Sequence, residues 1–185
     1  TDACGDEPPA RAGRDQALAK IRRTLLEAQA SSAAVRGAAA RYKAQATYPR
    51  EGLAGALHTT AALVKAGLGV RVFSIEAGGF DTHVDQRPRH DRLMTQLDGS
   101  LSAFYADLAA QKLDGRVTTV VYSEFGRRAA ENGSGGTDHG AASCLFVVGG
   151  GVKGGLYGRN PDLVDLDRGD PRFTTDFRGV YATLL

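Results

Sequence analysis

Apolar residues along this chain change period several times, and the changes divide it into elements. Residues 14–47 are rich in alanine and carry Leu18, Ile21, Leu25 and Ala28 at helical spacing, which predicts one or two helices. Tyr48-Pro49 interrupts them, because the residue before a proline is driven out of the helical region. Leu53, Leu57, Ala61 and Val64 then share one face of a helix over 51–66, closed by Gly67 and Gly69. Gly69 to Ile75 reads as a strand. Leu93, Leu97, Leu101, Phe104 and Leu108 recur at steps of four and three, the clearest helix, over 90–110. Arg116 to Tyr122 is a second strand. Strand, helix, strand is a βαβ unit, so these two strands should run parallel with their carboxyl ends on one edge. Cys144 to Val148 is a third strand, reached by a link too short for a helical crossover, which leaves an antiparallel return open. Residues 149–160 are dense in glycine and read as a turn or hairpin. Thr174-Thr175-Asp176 looks like the cap of a last helix carrying Phe177, Val180, Tyr181 and Leu184. The resulting division is a flexible lead over 1–13, an alanine-rich helical segment over 14–47 and an α/β core segment over 48–185.

Polar residues gather beside glycines where the apolar runs stop. Asp81-Thr-His83 follows the first strand. In an extended segment residues i and i+2 face the same way, so both side chains can meet one ion. The plainer reading is an Asp turn beside a surface histidine. His90, near the start of the long helix, is a further ligand, an anion contact or an ordinary helix-end residue. Glu124 follows the second strand, where an acid of an open α/β site belongs, and its alternative is an ion pair with Arg127 or Arg128. Those arginines can instead hold an anion in bidentate fashion. Asp138-His139-Gly140 lies in a glycine-rich loop over 129–143, where backbone can approach an ion closely. Lys153 sits in Gly149-Gly-Gly-Val-Lys-Gly-Gly155, which is not a phosphate loop because no Ser or Thr follows the lysine, so it is a minor anion contact. No Gly-x-Ser-x-Gly elbow supports Ser123 as a nucleophile.

Composition narrows the classes. The chain has 185 residues, 42% hydrophobic and 24% charged, enough for one soluble domain with a core. A net charge of +2, dispersed Arg and Lys, and no Trp give no nucleic-acid footprint. No run reaches the roughly 18 apolar residues of a membrane span. Cys144 lies in an apolar run and reads as a buried small hydrophobe, and Cys4 lies in the polar start. Thr1 is not an initiator Met and the last residues are still apolar-periodic, so the chain reads as a piece of a longer protein.

The ordered series Gly-Gly-Phe-Asp-Thr-His (78–83), Ser-Glu-Phe-Gly-Arg (123–127), Asn-Gly-x-x-Gly-Thr-Asp-His-Gly (132–140), Gly-Gly-x-Val-Lys-Gly-Gly (149–155) and Thr-Asp-Phe-Arg (175–178) resembles the DUF1501 family over about residues 50–185. That bacterial family is placed in the alkaline phosphatase-like superfamily, alongside sulfatases. The resemblance implies a three-layer α/β/α sandwich with a mostly parallel sheet, of which this chain is an incomplete segment. It implies one or two divalent ions held by Asp and His, and cleavage of phosphate or sulfate esters. Asp81 and His83 resemble the superfamily's Asp-plus-His ligand segment, and His139 falls where a later ligand histidine stands. Two departures stand out: Glu124 replaces an Asp, and Phe125 replaces the neighbouring ligand histidine, so one metal position is altered or lost. The superfamily's nucleophile lies after an early strand that would precede Thr1. Family members are often exported with a twin-arginine signal, which implies a periplasmic or extracellular location.

The expectation is therefore a metal-dependent hydrolase of a small anionic ester. Asp81, His83, Glu124, Asp138 and His139 bind a divalent ion (Zn, Mn, Ca or Mg), with His90 and Lys153 as further candidates. Glu124 and Arg127 take catalytic roles, the arginine on a non-bridging oxygen. The alternative is a non-catalytic exported binding or assembly protein with a degraded site.

Overall fold

The computed structural model describes residues 9–50 and 52–184, with side chains from Gln16 onward. Among the described residues, four α-helices and three two-stranded antiparallel ladders follow in the order α1 (Pro9–Arg41), α2 (Gly52–Ala66), α3 (Gln86–Ala110), β1 (Thr118–Val121), β2 (Gly126–Arg127), β3 (His139–Gly140), β4 (Phe146–Gly149), β5 (Leu166–Asp167), β6 (Asp170–Pro171) and α4 (Phe177–Leu184). The chain divides into two compact units, one of residues 1–43 and 62–71, the other of 44–61 and 72–185.

The first unit is dominated by α1, a single helix where one or two were expected. Residues 1–8 of the expected lead, Cys4 among them, lie outside the described residues. The periodic side chains Leu18, Ile21 and Leu25 are exposed along α1. Gly67 closes α2 with φ at +64° and its N–H donating to the Leu63 carbonyl at 3.2 Å, the left-handed cap that a glycine adopts without a Cβ clash. No helix among the described residues is long and apolar enough to cross a membrane.

The second unit holds the buried side chains Ala54, Leu57, Ala61, Ala103, Phe104, Leu108 and Leu113. The apolar period of α3 fits this placement: Phe104 and Leu108 are its deepest large residues. The helix starts earlier than its apolar period, at Gln86. Pro88 falls in the first turn, where a missing N–H costs nothing. Two polar anchors then fix α3. Tyr105 donates its hydroxyl to the Val148 carbonyl at 2.6 Å, tying the helix to the β1–β4 ladder. Asp107, fully buried, accepts the Gln45 N–H at 2.7 Å and the Tyr48 hydroxyl at 2.9 Å. At the carboxyl end Asp176 caps α4 by accepting the Arg178 N–H at 2.9 Å, as the cap pattern predicts.

The three-layer sandwich with a mostly parallel sheet is not what forms. Gly69–Ile75 carries no ladder, and β1 pairs antiparallel with β4 in the register Thr118↔Gly149 to Val121↔Phe146. The physical reason is burial. Val70 and Val72 stay exposed, so the segment has no covering layer to reward strand pairing. The chain also passes from one compact unit to the other within it. Cys144 is a free, exposed thiol rather than a buried hydrophobe, because the two-stranded ladder it precedes leaves it uncovered. One hairpin escaped the sequence reading. β5 and β6 are joined by Arg168-Gly169, both at positive φ (54° and 91°), and the pairing of a polar residue with glycine was its only signal.

Removing the Asp107 carboxylate takes a buried acceptor away from the Gln45 N–H, the Tyr48 hydroxyl and the Gln111 side-chain amide. Asp107→Ala is expected to cost about 3 kcal/mol in chemical denaturation of the full chain. A change below about 1 kcal/mol would show that α3 is not anchored there.

Candidate metal centre

Asp81 and His83 stand on an extended segment without ladder partners. Thr82 between them is buried at 1% exposure while its neighbours face outward, so the alternation that puts i and i+2 on one side holds without a sheet. His139 comes from β3, whose partner is β2 in the register Gly126↔Gly140 and Arg127↔His139. The Asp81 Oδ1 atom lies 2.7 Å from His139 Nε2 and 3.1 Å from His83 Nδ1. One potential ligand atom from each of the three residues lies within 4.8 Å of the others.

Backbone contacts hold the segments at this distance. Arg127 Nη2 donates to the Phe80 carbonyl at 2.7 Å, and Nη1 donates to the Thr137 carbonyl, so one guanidinium links the two ligand-bearing segments. The same Nη2 stands 3.6 Å from Asp81 Oδ1. Asn132 donates to the His83 carbonyl at 3.1 Å and to Asp138 Oδ1 at 3.2 Å, and its own oxygen accepts the Gly136 N–H at 3.1 Å. Gly136 is required by packing: a Cβ there would overlap the His83 carbonyl group. Gly140 is required likewise, since its Cβ would lie 2.5 Å from the Arg127 carbonyl carbon. Two aromatic contacts complete the surroundings. The Phe125 and His139 rings are stacked, with centroids 3.8 Å apart and planes 11° apart, and the His83 ring lies 4.9 Å from that of His139.

The other candidate residues fall outside the triad. Asp138 is exposed and bonds Asn132. Glu124 is exposed, and the ion pair weighed for it with an arginine is not the one observed: Arg127 faces Asp81, and Arg128 faces Asp170 at 3.7 Å. His90 is half-buried with its ring edge-on to Phe80, and lines a shallow cleft of about 280 Å³ with Gln86, Arg87, Asp91, Glu131 and Thr137. Lys153 is exposed on the turn after β4, where its carbonyl accepts the Tyr157 hydroxyl at 2.8 Å. Asn132 is the residue sequence reasoning passed over as a loop asparagine. Its one signal was the Asn-Gly pair, which marks a turn but not what the side chain reaches.

The structure thus brings two imidazoles and one carboxylate together on a solvent-facing loop and ladder, residue types that can hold a metal ion. The chain belongs to the DUF1501 family: its sequence model, described as a protein of unknown function, matches residues 6–181. No curated protein and no solved structure matches the chain.

The hydrogen bond with His139 is the main cause that holds the Asp81 carboxyl below its ordinary value of 3.8, and the charges of His83, His139 and Arg127 add to it. A depressed carboxyl contributes its interaction in full above 3.8 and loses it as pH falls through the lowered value. Titration of the Asp81 carboxyl by NMR is expected to give a midpoint below 3.8, moving back toward it in His139→Ala. An unchanged midpoint in that variant would mean the pair does not form in solution. Gly136→Ala is expected to push the two segments apart and abolish the cross-relaxation between the His83 and His139 rings; retention of that signal would refute the packing argument.

Proposed function

We propose that Asp81, His83 and His139 hold one divalent metal ion and that this centre serves hydrolysis of a phosphate or sulfate ester. The observation that carries the reading is the convergence of the three donor atoms within 4.8 Å on an exposed surface. Two nitrogens and one carboxylate oxygen leave coordination positions open, which is the pattern of catalytic rather than structural sites. The nitrogen donors favour zinc over calcium and magnesium, which prefer all-oxygen shells.

A bound ion would supply Lewis acidity toward an ester oxygen. The chain's own residues do the positioning. Asp81 lies between the two imidazoles and turns both ring nitrogens toward one point. Arg127 serves as a strut, since its guanidinium is committed to the Phe80 and Thr137 carbonyls. Asn132 sets the loop that delivers His139. Glu124 and Asp138, both exposed, stand in this reading as outer carboxylates rather than members of the triad. The ester substrate rests on the resemblance of the motif series.

One observation favours a second reading, a non-catalytic binding or assembly protein. Phe125 lies against His139 at the position where the motif resemblance implies another ligand, so the donor set is smaller than the one the resemblance implies.

Metal content by mass spectrometry on the full chain tests the first reading. About one divalent ion per chain is expected in the parent, as for a single three-ligand site, and none in the Asp81→Ala, His139→Ala double variant. No ion in the parent, and none acquired on titration with zinc, overturns it. Bound zinc without turnover of aryl phosphates or sulfates selects the second reading.

A further inference from the structure

Phe125 is the neighbour of the centre to which the metal reading gives no task. We propose that it is a positioning residue: its ring, stacked on His139, fixes the plane of that imidazole and so aims Nε2 at the Asp81 carboxylate. The consequence for metal affinity rests on the reading of His139 as a ligand.

The chain just before β2 puts the two rings together. Arg127 opposes His139 in the β2–β3 ladder, and Phe125 lies two residues earlier, in the bend that leads into β2. The centroids are 3.8 Å apart and the planes 11° apart, a flat contact rather than an edge contact. Gly126 fixes where Phe125 sits, because the Ala142 backbone fills the space a Cβ would need. Arg127 Cζ lies 5.1 Å from the Phe125 centroid, within cation–π range, so the guanidinium that joins the two ligand segments also steadies this ring.

His139 needs such a support. Its side chain is 47% exposed, and the polar contact that directs it is the one with Asp81. One hydrogen bond leaves an imidazole free to turn about the bond direction. A flat surface against its face removes that freedom. Groups that orient a ligand histidine from outside the coordination sphere commonly govern affinity, and their loss costs roughly 10- to 100-fold. The residue that departs from the ligand pattern implied by the motif resemblance is on this account the support of a ligand.

Two readouts on the full chain test this, with Phe125→Leu, Phe125→Tyr and His139→Ala beside the parent. In metal-free protein the His139 ring protons should be shifted upfield by the Phe125 ring current in the parent and in Phe125→Tyr. In Phe125→Leu they should return to ordinary positions. Zinc affinity should fall roughly 10- to 100-fold in Phe125→Leu and stay near the parent's in Phe125→Tyr. Ring-proton shifts that do not change in Phe125→Leu overturn the proposal. So does parent-like zinc affinity in Phe125→Leu when His139→Ala abolishes binding. A parent that binds no zinc overturns the metal reading instead, and the metal-free arm still decides the role of Phe125.

Discussion

Two stretches of chain, Phe80–His83 and Thr137–His139, share no ladder, and the candidate centre exists only while they stay side by side. The guanidinium of Arg127 holds them, one nitrogen on each backbone. A planar group with several N–H bonds can satisfy two carbonyl acceptors at once. The arginine is itself fixed by the short β2–β3 ladder, so the linkage runs from ladder to guanidinium to both ligand segments. Everything at the centre depends on that sequence of contacts.

Glycine makes the linkage possible at two places. Gly136 lets the loop touch the His83 backbone, and Gly140 lets β3 lie against Arg127. A side chain at either would wedge apart the groups that the arginine and Asn132 draw together. The polar and steric requirements coincide, which is why the dense glycines of this loop and its hydrogen-bonding residues fall in the same few positions.

The centre is reached by a different route from the one the strand pattern implied. Parallel strands were to gather the acids and histidines at one sheet edge. Instead β1 turns to β4, and the gathering is done by an unpaired extended segment and a two-residue ladder. Asp81 and His83 still share a side because alternation needs only an extended backbone, not a sheet. The strand-end argument and the motif resemblance both placed Glu124 with them, and without a parallel sheet its carboxylate stays outside the triad.

What the sequence determined by itself is local. The apolar period located α2, α3 and α4, the Asp176 cap and Gly67 closure followed from capping chemistry, and Asp81-x-His83 with His139 stood out by residue type. These features depend on neighbours a few residues away, so they are legible in order along the chain. Which strands pair, whether Cys144 is covered, which acids join the imidazoles and which side chain lies flat on His139 were decided only by tertiary structure. Each of those is a contest for burial or for a hydrogen-bond partner between residues distant in sequence, and the winner is fixed by what else is within reach.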